Sequence, residues 1–207
     1  MILRNFVVFE GIDGAGTSTQ IKMLQNRPDA ERFFFTAEPT KSETGKFLRK
    51  MLKGDVKLDA KTSAFLFAAD RNEHLYGKGE DLGLVERAKN GKIIVSDRYL
   101  FSNFAYQSVS CGEDLPRLLN SAFPLPEILF FFEIDPEISL KRVDNRGERE
   151  IYEQIDYLKK TEAQYEKVIS EYEAKNTEMK IVRLDAGKSI EEVFREICVN
   201  LQEKYGR

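Results

Sequence analysis

The sequence predicts an α/β fold, a five-stranded parallel sheet flanked by helices, in a single domain over residues 1–207. Three observations predict it. Five short apolar runs, at residues 6–9, 33–35, 92–96, 128–134 and 180–184, alternate with stretches of helical period. Strands separated by helices pair in parallel through right-handed crossovers. Gly11, Glu38, Asp97 and Asp135 each follow one of the runs, so all four can share the carboxyl-end rim, where such sheets bind ligands.

The first run, FVVF, reads as a buried strand and opens into EGIDGAGTSTQ, residues 10–20. Gly11, Gly14, Ala15 and Gly16 form a small-residue turn, and Thr17, Ser18 and Thr19 begin a helix with Ile21, Met23 and Leu24 near one face. Strand, glycine turn and helix make a phosphate cradle, because the glycines let several N–H groups curl inward and the helix N-terminus adds free donors and a positive dipole end. Ser18 sits where a hydroxyl would ligate Mg²⁺. The usual pattern is G-x-x-x-x-G-K-S/T; Gly11 and Gly16 are spaced correctly, but Thr17 fills the lysine position. On its own the stretch is equally a glycine-rich turn with no ligand.

Pro28 and Asp29 mark a turn before the second strand. Thr44 is placed to cap a helix carrying Phe47, Leu48, Met51 and Leu52, which Gly54 ends. Asp59 caps the next helix, with Ala64, Phe65, Phe67, Ala68, Leu75 and Tyr76 among its apolar residues, and residues 82–88 continue as helix to Gly91. The third strand ends in Asp97, Arg98 and Tyr99, and a short helix follows through Tyr106. Asp114 opens a helix that closes before Pro124 and Pro126. Asp135-Pro136 starts another after the fourth strand. From about Tyr152 a long amphipathic helix turns Ile155, Leu158, Tyr165, Val168, Ile169 and Tyr172 to one side. Ser189 caps a final helix that reaches Tyr205.

Composition excludes several classes. A chain of 207 residues with 42% hydrophobic and 32% charged residues is globular rather than disordered. A net charge of −3 argues against broad nucleic-acid or polybasic membrane binding. Cys111 and Cys198 have no zinc-site spacing, and so few cysteines suit a reducing, cytoplasmic setting. The apolar run at residues 6–9 is too short for a signal core, Glu10 ends it, and no window reaches membrane-spanning length.

Phosphoryl transfer asks a protein for positioned phosphates, a bridging Mg²⁺ and positive charge at the transferring group. The rim offers each. The loop from Gly11 to Ser18 can cradle donor phosphates, Asp97 can hold the metal's water shell, and Arg98 can grip a second phosphate. Arg142, Arg146 and Arg149, around Gly147, can form a mobile lid near residues 142–152. Each part also has a plain reading: Asp97 and Arg98 as a local ion pair, the three arginines as a solvated helix face. Glu38 is either a turn residue or one that reaches metal or substrate. His74, the only histidine, reads as structural.

The chain resembles the thymidylate kinases (dTMP kinases) of the P-loop nucleoside monophosphate kinase group. FEGIDGAGTSTQ resembles that family's opening apart from the lysine, TAEP its second-strand loop, and LFAADRNEH the helix over the thymine. SDRYLFSNFAYQ resembles its Asp-Arg-Tyr signature, PEILFFFEIDPEISLKR its fourth strand and lid helix, and RLDAGKSIEEV its adenine-side loop. The resemblance spans nearly the whole chain and implies a three-layer P-loop kinase fold, ATP as phosphoryl donor, Mg²⁺, dTMP as acceptor and a homodimer. It further implies that Phe67 stacks on thymine, Arg71 and Gln107 meet the base, and Arg49 and Arg98 bind the acceptor phosphate. Asp13 would approach the sugar 3′-hydroxyl or the metal's waters, Asp97 would support Mg²⁺, Tyr106 would crowd the 2′ position, and Ala186 would line the adenine. Phe67 could instead be core, Arg71 a partner of Asp70, and Tyr106 a cover for the core edge.

The departures from the pattern are Thr17, Ala37 where many relatives carry arginine, and Gly14 where one subgroup carries a loop arginine. They point to the subgroup whose lid supplies the charge. A lost charge-assisted hydrogen bond is worth roughly 1.5–3 kcal/mol, about one to two decades of rate. The sequence therefore leaves three readings: a dTMP kinase, a catalytically impaired nucleotide-binding protein, and a kinase of another deoxynucleotide.

Overall fold

β1 (Ile2–Gly11) is the middle strand of a five-stranded sheet. It pairs in parallel with β3 (Ile93–Asp97) on one side and β4 (Leu125–Glu133) on the other, with β2 (Phe33–Ala37) outside β3 and β5 (Lys180–Asp185) outside β4. The order β2-β3-β1-β4-β5 is parallel throughout. The computed structural model describes residues 1–78, 82–143, 151–175 and 177–206, without the side chains of residues 143 and 151–154.

Helices cover both faces of the sheet, giving the three layers of a P-loop kinase fold. α1 (Thr17–Gln25) packs with α10 (Ile190–Tyr205). A second group joins α3 (Ala60–Tyr76), α4 (Leu84–Lys89), α5 (Leu100–Ser102), the π-helical turn Asn103–Gln107, α6 (Ser108–Cys111), α7 (Asp114–Asn120) and α9 (Ile151–Ala174). α2 (Glu43–Leu52) lies on α3, and α8 (Pro136–Val143) on α9. Strands buried on both faces need apolar residues at every position. Phe6 to Phe9, Ile93 to Val95 and Ile128 to Phe132 accordingly form the core, with Leu158, Tyr165, Val168 and Ile169 of α9 against them.

Several boundaries differ from the pattern-based expectation, for identifiable reasons. β1 starts at Ile2 because its outer half pairs Ile2 and Leu3 with Leu125 and Pro126, before a register shift around Asn5, which has φ 59°. Arg4 and Asn5 hide that half from an apolar scan, and Pro126 is tolerated next to the irregularity. Ser42, not Thr44, caps α2, accepting from Gly45 N at 3.1 Å. The helix after Tyr99 continues to Cys111, with the π turn inserted in it, instead of stopping at Tyr106. Asp59 caps α3 and Ser189 caps α10, the latter in a capping box with Glu192.

Phe9 sits at the centre of this arrangement, fully buried, with the rings of Phe130 and Phe132 each at 5.3 Å. Truncating a buried phenylalanine removes its transfer free energy and leaves a cavity. Phe9→Ala is expected to lower unfolding stability by about 3–5 kcal/mol in a denaturant titration; a loss under about 1 kcal/mol would show that β1 is not the packed centre.

Candidate active site

The chain leaves β1 under tight steric control. A Cβ on Gly11 would lie 2.9 Å from the Phe132 carbonyl oxygen and 3.0 Å from the Ala15 side chain, so only glycine lets β1 run on beside β4 here. Gly16 caps α1 at φ 97°, in the left-handed region, and takes the N–H groups of Thr19 and Gln20 at 3.0 and 3.2 Å. The loop thereby curls around a cavity of about 550 Å³. Residues 12–20 line it, with Asp97 and Arg98 from the end of β3, Arg142 from α8, and Ala186 and Lys188 from beyond β5. The first-turn N–H groups of α1 have no intrahelical partners and can serve an anion there.

Two pairs of side chains converge where the strands end. Ser18 Oγ donates to Asp97 Oδ2 at 2.6 Å. Asp97 Oδ1 is buried with no hydrogen-bond partner. A hydroxyl and a carboxylate with a spare, desolvated oxygen suit a hard cation such as Mg²⁺, which takes oxygen ligands and keeps several waters.

The second pair is Arg98 with Asp13. Arg98 has φ 72°, unusual for a side-chain-bearing residue, and its N–H is fixed to the Phe9 carbonyl at 2.9 Å. This turn brings the guanidinium back over the loop. Nη2 donates to Asp13 Oδ1 at 2.6 Å, and Nη1 donates to Gly11 O, Ser102 Oγ and Tyr165 OH at 3.1, 3.2 and 3.3 Å. The guanidinium also lies over the Tyr106 ring, 5.2 Å from its centroid, within cation–π distance. Burial works against the charged form, yet Tyr106, Tyr165, Asp13 and Asp97 together hold the Arg98 pKa above its usual value. Tyr106 OH accepts from Asp13 N at 3.0 Å, and burial pushes the Tyr106 phenol up, so it stays neutral.

Arg71 and Glu38 turn inward. Arg71 Nη2 meets Glu38 Oε2 at 2.6 Å, Nη1 donates to Asn103 Oδ1 at 2.6 Å and to Asn120, and Nε is buried without a partner. His74 bridges Glu38 Oε1 at 3.0 Å and Thr36 Oγ1 at 2.7 Å. Burial would raise the Glu38 pKa, but Arg71 and His74 hold it below the usual range. Asp70, the sequence neighbour suggested for Arg71, instead accepts from Thr40 N, Thr40 Oγ1 and Ser42 Oγ at 2.7, 2.6 and 3.0 Å. Arg49 donates to the Pro39 and Thr40 carbonyls. Phe67 and Gln107 are half-buried, and Gln107 Oε1 accepts from Asn103 Nδ2 at 2.8 Å, which ties it to the Arg71 cluster.

Thr17 is half-buried in the loop cavity. Among the described residues, the cations lining that cavity are Arg98, Arg142 and Lys188. Arg142 Nη2 donates to the Ala186 carbonyl at 3.1 Å, and Lys188 faces Glu196 at 3.7 Å. Lys22 lines a second cavity, of about 790 Å³, beside Arg49 and Lys41. Arg146 and Arg149, with most of the expected lid, lie outside the described residues. Sequence reasoning did not single out Glu10, Ser102, Asn103, Asn120 or Tyr165. A carboxylate ending an otherwise apolar core strand was the available signal for Glu10; the others depend on contacts between distant segments.

Comparison with known proteins agrees with this geometry. A family model described as thymidylate kinase matches residues 9–197. The chain is 40% identical over 204 residues to a putative thymidylate kinase of Treponema pallidum, covering 98% of this chain and 97% of that protein. It is 40% identical over 198 residues to a probable thymidylate kinase of Methanocaldococcus jannaschii, covering 95% of each. It is also 38% identical over 209 residues to a thymidylate kinase of Leptospira interrogans, covering 95% of this chain and 92% of that one. A phosphate loop at the end of β1, an acid and an arginine at the end of β3, and a family match across nearly the whole chain lead to one conclusion: the chain belongs to the thymidylate kinase family, the phosphotransferases that convert dTMP to dTDP.

Proposed function

We propose that the chain carries out its family's reaction, γ-phosphoryl transfer from ATP to dTMP, with Arg98 and Asp13 as the exchangeable centre of the site. The observation that carries this reading is the 2.6 Å Arg98–Asp13 contact at the mouth of the phosphate loop. The acceptor phosphate would take Asp13's place on Arg98, with Arg49 as the second cation. Released Asp13 would face the sugar 3′-hydroxyl or the metal's waters. Gly11, Gly14, Ala15, Gly16, Thr17, Ser18 and Thr19 would cradle the donor phosphates, and Ala186 would line the adenine. Ser18 and Asp97 would hold Mg²⁺, which when bound neutralises charge on the phosphates. Phe67 would stack on thymine, and Arg71 and Gln107, fastened to Glu38 and Asn103, would meet the base edge. Tyr106 would crowd the 2′ position and so favour deoxyribose. A coupled assay of ADP release across nucleosides and monophosphates tests the reading. dTMP is expected to be the best acceptor, dUMP weaker and thymidine very poor; efficient turnover of thymidine, or of CMP over dTMP, would sink it. No turnover at all with intact ATP binding would favour a binding protein.

Two features of assembly and setting belong to the same reading. α2 and α3, which pack together, expose Phe47, Leu52, Phe65 and Tyr76. This supports a homodimer that buries these helices, and light scattering at micromolar concentration should give twice the chain mass; a monomer would count decisively against it. Cys111 and Cys198 are free thiols, which suits a reducing cytoplasm. No helix among the described residues is long and apolar enough to cross a membrane.

The missing loop lysine is proposed to be replaced by an arginine of α8 or the residues after it, Arg142, Arg146 or Arg149. Truncating the right one to alanine should lower kcat more than it raises KM for dTMP, the mark of an interaction made mainly in the transition state. If all three alanine variants keep full kcat, the charge comes from elsewhere. Thr17 itself offers a backbone N–H and one neutral hydroxyl. Thr17→Ala should therefore cost less than about tenfold in kcat, as a neutral hydrogen bond is worth roughly 0.5–1.5 kcal/mol. Thr17→Lys should give no gain, because a second cation would crowd the first; a tenfold or larger rise would refute compensation.

A further inference from the structure

Glu10 is fully buried at the penultimate position of the central strand, and the reaction described above makes no use of it. Its carboxylate is saturated with donors. Oε1 accepts from the backbone N–H groups of Tyr99 and Ser102 at 2.8 and 3.1 Å. Oε2 accepts from Ser102 Oγ at 2.6 Å and Tyr165 OH at 2.8 Å. Those same two hydroxyl oxygens receive Nη1 of Arg98, at 3.2 and 3.3 Å. Glu10 and Arg98 are thus separated by one layer of hydroxyls, and they approach it from opposite sides.

A hydroxyl has one hydrogen and two lone pairs, a carboxylate only accepts, and a guanidinium only donates. Two hydroxyls between a carboxylate and a guanidinium have a single proton order that satisfies every group. Both hydrogens point to Glu10, and both oxygens present lone pairs to Arg98. A neutral group at position 10 breaks this order, because it must place a hydrogen of its own among the hydroxyls. One hydroxyl then turns its hydrogen toward the other, 2.8 Å away, or toward the Arg98 N–H. Glu10 also fixes the N–H of Tyr99, immediately after the strained turn at Arg98.

We propose that Glu10 is a positioning residue for Arg98: its carboxylate claims the hydrogens of the Ser102 and Tyr165 hydroxyls, leaving both oxygens to accept from the guanidinium and hold it aimed at the acceptor phosphate. The proposal rests on the reading of Arg98 as the acceptor-phosphate ligand. The charge it requires is switchable near neutrality, since burial pushes the Glu10 carboxyl up to about 7, against the lowering pull of the Ser102 bond and of Arg98. The other titratable groups around it are Tyr165 and Tyr99, both held neutral by burial, and, beyond Arg98, Asp13, Asp97 and Tyr106. The single histidine, His74, belongs to the separate Glu38 cluster.

The test is Glu10→Gln, which keeps the shape and removes the charge, beside Tyr165→Phe, which removes one relay hydroxyl. At pH 8, kcat/KM for dTMP is expected to fall at least tenfold in Glu10→Gln and at least threefold in Tyr165→Phe, with ATP affinity by calorimetry within twofold of the parent. A cluster that only fastened α9 to the sheet would move both substrates alike. As the pH is lowered, the parent's kcat/KM for dTMP should fall through about 7, to which burial pushes the Glu10 carboxyl up, merging with a second step near ~6 from the dTMP phosphate itself. Glu10→Gln should keep only the phosphate step, so a two-proton fall becomes a one-proton fall. A Glu10→Gln enzyme within twofold of the parent at every pH, or one weakened equally toward ATP, overturns the proposal. Should that variant not fold, Tyr165→Phe decides on the same two-substrate comparison. If the parent shows no turnover of dTMP, the assigned reaction fails, and calorimetric dTMP binding to the same variants still decides Glu10: affinity lost in the variants supports it, and affinity unchanged overturns it.

Discussion

The contact on which the site depends is the approach of Gly11 to the Phe132 carbonyl, where a Cβ would sit 2.9 Å from the oxygen. It lets β1 stay paired with β4 to its last residue, opposite Phe132, before the chain turns back over the sheet. Everything chemical follows from where that turn falls. Phe9 is in register with Asp97 on β3, so the acid that ends β3 faces the start of the loop. Ala37 is in register with the same residue, which places Glu38 beside it, with its N–H on the Asp97 carbonyl at 3.0 Å. Three strands thus deliver a glycine loop, a carboxylate and a substrate-side turn to one edge without any long connection.

Burial separates the ion pairs at this edge by role. The Arg98 and Asp13 side chains are 22% and 60% exposed, while Arg71 and Glu38 are 1% and 4% exposed. Asp13 is the exposed member, so its carboxylate can return to water when a phosphate dianion takes its place on the largely buried Arg98. Removing one partner from a buried pair costs about 3–5 kcal/mol, so Glu38 cannot leave Arg71 cheaply. On the proposed reading the first pair opens for the acceptor phosphate, while the second stays closed as buried structure. Chemically similar pairs thus differ in their access to water.

The sheet was legible because its three inner strands are buried on both faces and therefore spell out apolar runs, and the loop because glycine spacing is a local property. The polar end of β1, with Arg4 and Asn5, was not legible, since its pairing to Leu125 and Pro126 depends on a distant segment. The α2 cap was missed for a different reason. Ser42 is selected over Thr44 by its shared contact with Asp70, 28 residues away. The family resemblance supplied positions such as Arg71, yet not their surroundings: Asn103 and Asn120 are unremarkable polar residues until the π turn and α7 bring them to one guanidinium. Tyr165 read correctly as a core position on α9, but its hydroxyl has a polar task that periodicity cannot reveal.

Thr17 changes where positive charge resides rather than whether the cavity has any. Arg98 is engaged by Asp13, and Lys188 is drawn toward Glu196. Arg142 gives Nη2 to the Ala186 carbonyl, a bond that uses one of five guanidinium donors and fixes the plane of the fork beside the nucleotide cavity. A lysine on the loop would bring its charge to the donor phosphates from the loop itself. Arg142 is anchored to the loop after β5 through Ala186, so, on the proposed reading of that loop as the adenine side, its placement would depend on the donor nucleotide's own site. Binding energy from the far end of the nucleotide can then be used to set charge at the transferring phosphoryl, which favours the transition state over the bound ground state.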